Sequence, residues 1–265
     1  MKVFISADME GTAGIAHWDE ADRNHVDYEQ FRVLMTAEVV AACEGARAAG
    51  ADEVLIKDAH ESGRNLLVDR LPAYARIVRG WSGHPDSMMF GLDPSFDAAI
   101  YTGYHAKAGA ESNPLAHTST LRISRFLLNG EVASELTVNA LAAARHGVRS
   151  AFIAGDAEIC ADAQAMIPGI HSFATLEGFG RASISVAPVR AQEAIRAGVE
   201  AALREGVGGL PQIEGPFEVV IEFVNPTDAY RVSWFPGARA HGPRAVAFAA
   251  TEFFEIQRAL RFLID

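Results

Sequence analysis

Three segments of this chain share one design, an apolar, β-branched run that stops abruptly at ionisable residues. They are Val3-Phe4-Ile5-Ser6-Ala7-Asp8-Met9-Glu10-Gly11, Val54-Leu55-Ile56-Lys57-Asp58-Ala59-His60-Glu61 and Ala98-Ala99-Ile100-Tyr101-Thr102-Gly103-Tyr104-His105. Between the first two, Phe31, Leu34, Met35, Val39, Ala42 and Ala46 recur at helical spacing, and Gly50 closes the pattern. That is a β-α-β unit. Continuous apolar strands alternating with helices imply a parallel sheet covered on both faces, with the C-terminal strand ends on one edge, where such sheets bind ligands. The predicted class is therefore α/β: a mostly parallel sheet with helices on both faces, a metal site at the C-terminal strand edge, and a smaller second α/β part.

The run from Arg122 to Val132 carries Asn129-Gly130, a hairpin signal between two strand-like arms, and a helix is expected from about Glu135 to His146. A strand at 151–154, a helix at 157–166 and an alanine-rich helix at 191–205 follow. A Gly- and Pro-rich loop at 206–216 then leads into an apolar strand at 219–224. These signals suggest a metal-binding catalytic domain over residues 1–180 and a smaller C-terminal part over 181–265.

Composition excludes several functions. A net charge of −11 argues against nucleic acid, because binding a polyphosphate depends on clustered Lys and Arg. No stretch approaches the roughly 18 apolar residues of a membrane span. The apolar run at the N-terminus is charged by Asp8, too soon for a signal sequence, so no membrane partner is expected and cytoplasm is the default. Cys43 and Cys160 form no C-x-x-C pair and read as small buried residues.

Asp8 and Glu10 are two apart, so a strand persisting to that point turns both carboxylates the same way. Alone, the pair reads equally as a charged strand end. Asp58 and His60 repeat the arrangement, and His105 ends the third run. Convergence of these strand ends would deliver a mixed N/O donor set suited to zinc, manganese or cobalt. Clustered carboxylates repel unless cations neutralise them, which favours two ions over one. Glu135 opens a predicted helix and by itself is a capping carboxylate; His117, in the turn-rich Asn113–Thr120 loop, is by itself polar surface. His17, His25, His84, His146, His171 and His241 share no ligand spacing, and Ser119 and Ser124 lack a nucleophile-elbow context.

Ser6-Ala7-Asp8-Met9-Glu10-Gly11, Asp58-Ala59-His60, Gly103-Tyr104-His105, His117 and Asn129-Gly130-Glu131-Val132-Ala133-Ser134-Glu135 together resemble the D-aminopeptidase DppA-type family, peptidase family M55. The resemblance runs in order over roughly the first 160 residues. It implies a two-zinc site with Asp8, Glu10, His60, His105 and Glu135 as ligands, His117 as a catalytic residue, and a closed homo-oligomeric ring, a decamer. Two positions depart from the family pattern: Ser134 stands where glycine is usual, and Gly155-Asp156-Ala157 replaces a Gly-Asp-Asp run.

The expectation is a zinc aminopeptidase that cleaves short peptides with an N-terminal D-amino acid, of the D-Ala-D-Ala type, by a hydroxide held between two metals. Two rivals stand beside it. One is a metal-dependent amidohydrolase for another small amide; the other is a non-catalytic ring subunit or binding protein that keeps the metals.

Overall fold

The computed structural model describes residues 1–264. Its larger sheet contains β1 (Lys2–Ala7), β2 (Glu53–Asp58), β3 (Ala75–Val78), β4 (Ala98–Tyr104), β7 (Arg149–Asp156), β8 (His171–Phe179) and β9 (Ala182–Ser185), in the order β3-β2-β1-β4-β7-β8-β9. Every pairing is parallel except the β8–β9 hairpin. The smaller sheet is antiparallel and contains β5 (Ile123–Leu128), β6 (Glu131–Val132), β10 (Phe217–Phe223), β11 (Arg239–Ala240) and β12 (Ala245–Ala250), in the order β11-β12-β10-β5-β6. The helices are α1 (Tyr28–Ala48), α2 (Glu135–Arg145), α3 (Ala157–Met166), α4 (Pro188–Glu205), α5 (Pro226–Val232) and α6 (Phe253–Leu263).

Strand alternation sends successive side chains to opposite faces. Val3, Ile5 and Ala7 of β1 join Ile100 of β4 under α1 and α4, where Met35, Val39, Ile195 and Val199 meet them. Phe4 joins Ala99, Tyr101 and Ile153 on the other face, under Leu136 and Ala140 of α2 and Ile159 and Ala163 of α3. Both faces are thus covered, which is why these strands read as unbroken apolar runs. A third cluster lies between the smaller sheet and α6, centred on Phe126, Ile221, Ile256 and Leu260.

The division read at residue 180 does not separate the two sheets. That residue lies in the β8–β9 turn, α4 packs back on α1, and β5, with β6 beside it, leaves the first half of the chain to pair with β10. The Asn129-Gly130 turn joins β5 to β6 with positive φ at both residues (52° and 88°), the geometry of a tight hairpin. Cys43 and Cys160 are free and buried. Among the described residues, no helix is long and apolar enough to cross a membrane.

One buried group supports the loop that follows β1. Glu38 of α1 is 2% exposed and accepts the Ala13 N–H at 2.8 Å, while its second oxygen meets no partner. Burial pushes its carboxyl up to about 8, against the smaller opposing effect of the Ala13 N–H. The fold therefore binds a proton that the unfolded chain releases near 4.5. The resulting destabilisation is absent below that value, grows as pH rises toward about 8 and then levels off. Glu38→Gln should match the wild type near pH 4 and exceed its stability by on the order of a few kcal/mol above pH 8, measured by urea unfolding in chelator.

Candidate metal centre

Strands β2, β1 and β4 are neighbours, so the segments leaving their C-terminal ends lie side by side. Asp8 and Glu10 follow β1, His60 follows β2 and His105 follows β4. Backbone hydrogen bonds carry the alignment past the strands: Ala59 N–H donates to Ala7 O, Asp8 N–H to Thr102 O and Gly11 N–H to Gly103 O, each at 2.8 Å. Two glycines permit this approach. A Cβ on Gly11 would stand 1.8 Å from the Tyr104 carbonyl oxygen, and one on Gly103, whose φ is +67°, would stand 2.1 Å from that of Asp8.

Glu135 arrives from the opposite side, as the first residue of α2. Ser134 caps this helix by accepting the Thr137 N–H, so the serine that departs from the family pattern has a structural role. One turn further on, Asn139 donates to the Tyr104 hydroxyl at 2.9 Å, and that hydroxyl pairs with Ser6 at 2.8 Å. This buried chain ties α2 to β4 and β1, and the i, i+4 spacing turns Glu135 toward the same side as Asn139.

The assembled cluster is compact. Asp8 presents one oxygen to each of two histidines: Oδ1 lies 3.4 Å from His60 Nδ1, and Oδ2 lies 3.5 Å from His105 Nε2. Glu10 Oε2 is 3.0 Å from His60 Nδ1, and Glu135 Oε1 is 3.5 Å from His105 Nε2. His117 stacks on His105 with ring centroids 4.3 Å apart and turns Nε2 toward Glu135 (3.6 Å) and Glu10 (3.9 Å). Three overlapping sets have donor atoms close enough to hold one cation: Asp8, Glu10 and His60; Asp8, His105 and Glu135; and Glu10, His105 and His117.

Each histidine is aimed by a backbone carbonyl. His60 Nε2 lies 2.9 Å from Ala21 O, His105 Nδ1 lies 3.0 Å from Ala106 O, and His117 Nδ1 lies 3.0 Å from Leu115 O. A carbonyl only accepts, so these nitrogens carry the hydrogens and the other nitrogen of each ring faces the carboxylates. There it needs a proton or a cation. With protons alone, burial disfavours the charged rings, but the carboxylates outweigh it: Glu10 and Asp8 hold His60 well above the usual histidine range, and Glu135 and Asp8 do the same for His105. His105 Nε2 is buried yet makes no hydrogen bond, and imidazole oriented by an outer carbonyl beside carboxylates is the donor chemistry of a divalent cation. The residues fit metal.

The cluster opens into a cavity of about 740 Å³ whose walls include Trp18, Trp81, Phe126 and Leu260. Asp58, which the sequence pairs with His60, stays out of the cluster because its oxygens accept from Asn65 and Leu66. Of the other histidines, His17 caps a short 3-10 turn, His84 and His146 lie beside Asp86, and His171 lies beside Glu205. Sequence reasoning missed Asp156 as an organiser. This residue caps α3 through Ile159 N–H and also accepts from Ala106 N–H and the Asn113 amide, which itself holds Glu10 O. Its place in the Gly155-Asp156 strand end was the available signal.

A carboxylate and imidazole cluster at the C-terminal edge of a parallel sheet, open to a peptide-sized cavity, belongs to a metal-dependent hydrolase. The comparisons narrow that class to the metallo-aminopeptidases. A family model described as D-aminopeptidase (Peptidase_M55) matches residues 1–262, and the chain belongs to that family. It is 30% identical over 269 residues to a D-aminopeptidase of Bacillus subtilis (strain 168), covering 100% of this chain and 97% of the relative. It also superposes, with a TM-score of 0.92 and 29% identity over 100% of this chain and 97% of the other, on the Zn-dependent D-aminopeptidase DppA from Bacillus subtilis, described as a self-compartmentalizing protease.

Asp156→Ala should lose about 1–3 kcal/mol of stability in urea unfolding, because one change strips a helix cap and two further donors of their acceptor. Asp156→Asn, which keeps an acceptor at the cap, should lose much less.

Proposed function

We propose that this D-aminopeptidase removes the N-terminal residue from short D-amino-acid peptides, D-alanyl-D-alanine among them, with two zinc ions held by Asp8, Glu10, His60, His105 and Glu135. The observation that carries this reading is the position of Asp8: its two oxygens face different histidines, one in each of two donor triads, as a carboxylate shared between adjacent ions would. The zinc-dependent relative supports the metal, and the family's activity supports the substrate.

When bound, two such ions polarise the scissile carbonyl and make the attacking water acidic. The remaining work falls to the chain. Glu135 accepts the Ser119 N–H at 2.7 Å and the Glu10 backbone carbonyl accepts from Asn113 at 3.0 Å, so the donor set is ordered before substrate arrives. His117, with Nδ1–H committed to Leu115 O and Trp18 edge-on at 5.2 Å, keeps Nε2 directed at the cluster. That nitrogen accepts the proton of the attacking water and returns it to the leaving amine. Asp22 and Glu61 on the cavity wall attract the substrate's ammonium group.

An oligomeric assembly and a cytoplasmic location complete the proposal. The self-compartmentalizing relative supports the first, as does the exposed aromatic pair Tyr230 and Trp234. Two free buried cysteines suit a reducing compartment.

His117→Ala should keep its zinc and its melting temperature but lose about 10²–10⁴ in kcat on D-alanyl-D-alanine. His60→Ala and His105→Ala should lose zinc and activity together, read by elemental analysis on the same samples. A His117→Ala protein that loses metal makes His117 a ligand; one with wild-type turnover removes its proton-transfer role.

A further inference from the structure

One buried cation lies outside the donor sets and has no part in the chemistry above. Lys57 of β2 is fully buried, and its partners are the carbonyls of Asp58 and Gly80, the latter at 3.1 Å, and the ring of Trp81, whose centroid is 4.0 Å away. No carboxylate is among them. Withdrawing an ammonium from water on these terms is costly, and burial pulls it down to about 8, against the raising effect of the Asp58 charge. What the ammonium holds together is the end of β2, which leads to His60, and the segment after β3, which carries Trp81.

Trp81 is fixed at both ends of its side chain and along its backbone. Lys57 packs on its ring, its Nε1–H donates to Glu61 O at 2.6 Å, and the Gly80 N–H just before it donates to Gly63 O at 2.6 Å. His60, Glu61 and Trp81 all line the cavity, whereas Lys57 does not, so the ammonium backs the indole and the cavity meets the rest of the ring. Trp81 is 39% exposed with its N–H already committed, and it therefore offers a ligand only apolar and π surface. A cation on one face also uses up the attraction by which an aromatic ring would draw a second cation to the other.

We infer that Trp81 is the residue that selects the side chain of the substrate's N-terminal residue, as an apolar platform that Lys57 holds in place. The subsite follows from the neighbours. Glu61, whose carbonyl receives the indole N–H, is one of the two carboxylates that attract the substrate's ammonium, and His60 directly precedes it, so the residue bearing the free amine and the scissile carbonyl lies beside Trp81. This rests on the peptidase reading above and adds its substrate class: peptides whose N-terminal residue is apolar or aromatic, D-norleucine or D-phenylalanine rather than D-lysine. Trp81 is then a binding residue and Lys57 a positioning residue.

The test measures turnover of D-norleucyl-, D-phenylalanyl-, D-lysyl- and D-alanyl-D-alanine at pH 7, where Lys57 is charged, by zinc-loaded wild type, Trp81→Ala, Trp81→Phe and Lys57→Met. D-Norleucine and D-lysine, which share a four-carbon side chain that only lysine ends in an ammonium, serve as unreactive ligands in calorimetry. The wild type should favour the norleucyl over the lysyl peptide by about 10-fold in kcat/KM. Trp81→Ala should raise KM about 10- to 100-fold on the norleucyl and phenylalanyl peptides, with a much smaller rise on D-alanyl-D-alanine and kcat less affected, and Trp81→Phe should keep most of the binding. Lys57→Met, which removes the charge and keeps an unbranched side chain, should keep its zinc and reduce the norleucyl preference to below about threefold. An equal loss on all four peptides in Trp81→Ala, or a preference that Lys57→Met leaves intact, overturns the proposal. Should Lys57→Met not fold, the two Trp81 variants decide. D-Norleucine binding that depends on Trp81 without turnover of any peptide leaves the platform standing and removes the peptidase reading instead.

Discussion

Everything at the functional edge of this protein follows from burying three carboxylates together. Asp8, Glu10 and Glu135 are each 6% exposed or less, and their charges meet within one cluster. Burial and the Glu10 charge raise the Asp8 carboxyl, as expected for a like-charge pair withdrawn from water. Such a cluster persists only if positive charge is placed among it. Two histidines face it from the strand ends on either side of β1 and a third from a loop, each with its outward N–H fixed on a carbonyl, so the inward nitrogens and the carboxylate oxygens converge on the same small volume.

The rest of the fold can be understood as the support for that convergence. The glycines at 11 and 103 let two loop backbones touch, Asp156 and Asn113 hold the segments behind them, and the Ser6, Tyr104 and Asn139 chain sets the approach of α2. The smaller sheet contributes no residue to the three donor sets. Its core and α6 instead form the far wall of the cavity, so one sheet gathers the donors while the other bounds the space beside them.

The parallel sheet was legible because both its faces are buried, which leaves apolar runs that end sharply where the strands leave the core. Asp8, Glu10, His60 and His105 were legible for the same reason, since strand ends are where ionisable residues can first appear. His117 and Glu135 were not, because a loop histidine and a first-turn glutamate look alike whether or not they face a site, and only family resemblance singled them out. The split of the sheets was hidden by long-range pairing: β5 finds β10 across roughly 90 residues, and no local pattern records that. In contrast, α6 carries a plain helical stripe of Phe253, Ile256, Leu260 and Leu263, but nothing in its periodicity reveals that Arg261 beside it faces the cavity.

The proposed chemistry depends on Asp8 being shared by two ions. The most direct measurement is anomalous diffraction at the zinc absorption edge from crystals of the zinc-loaded protein. Two peaks per chain are expected, about 3.5–4 Å apart, one beside His60 and Glu10 and one beside His105 and Glu135, with an Asp8 oxygen on each. A single peak, or two peaks with Asp8 bound to only one, would contradict it.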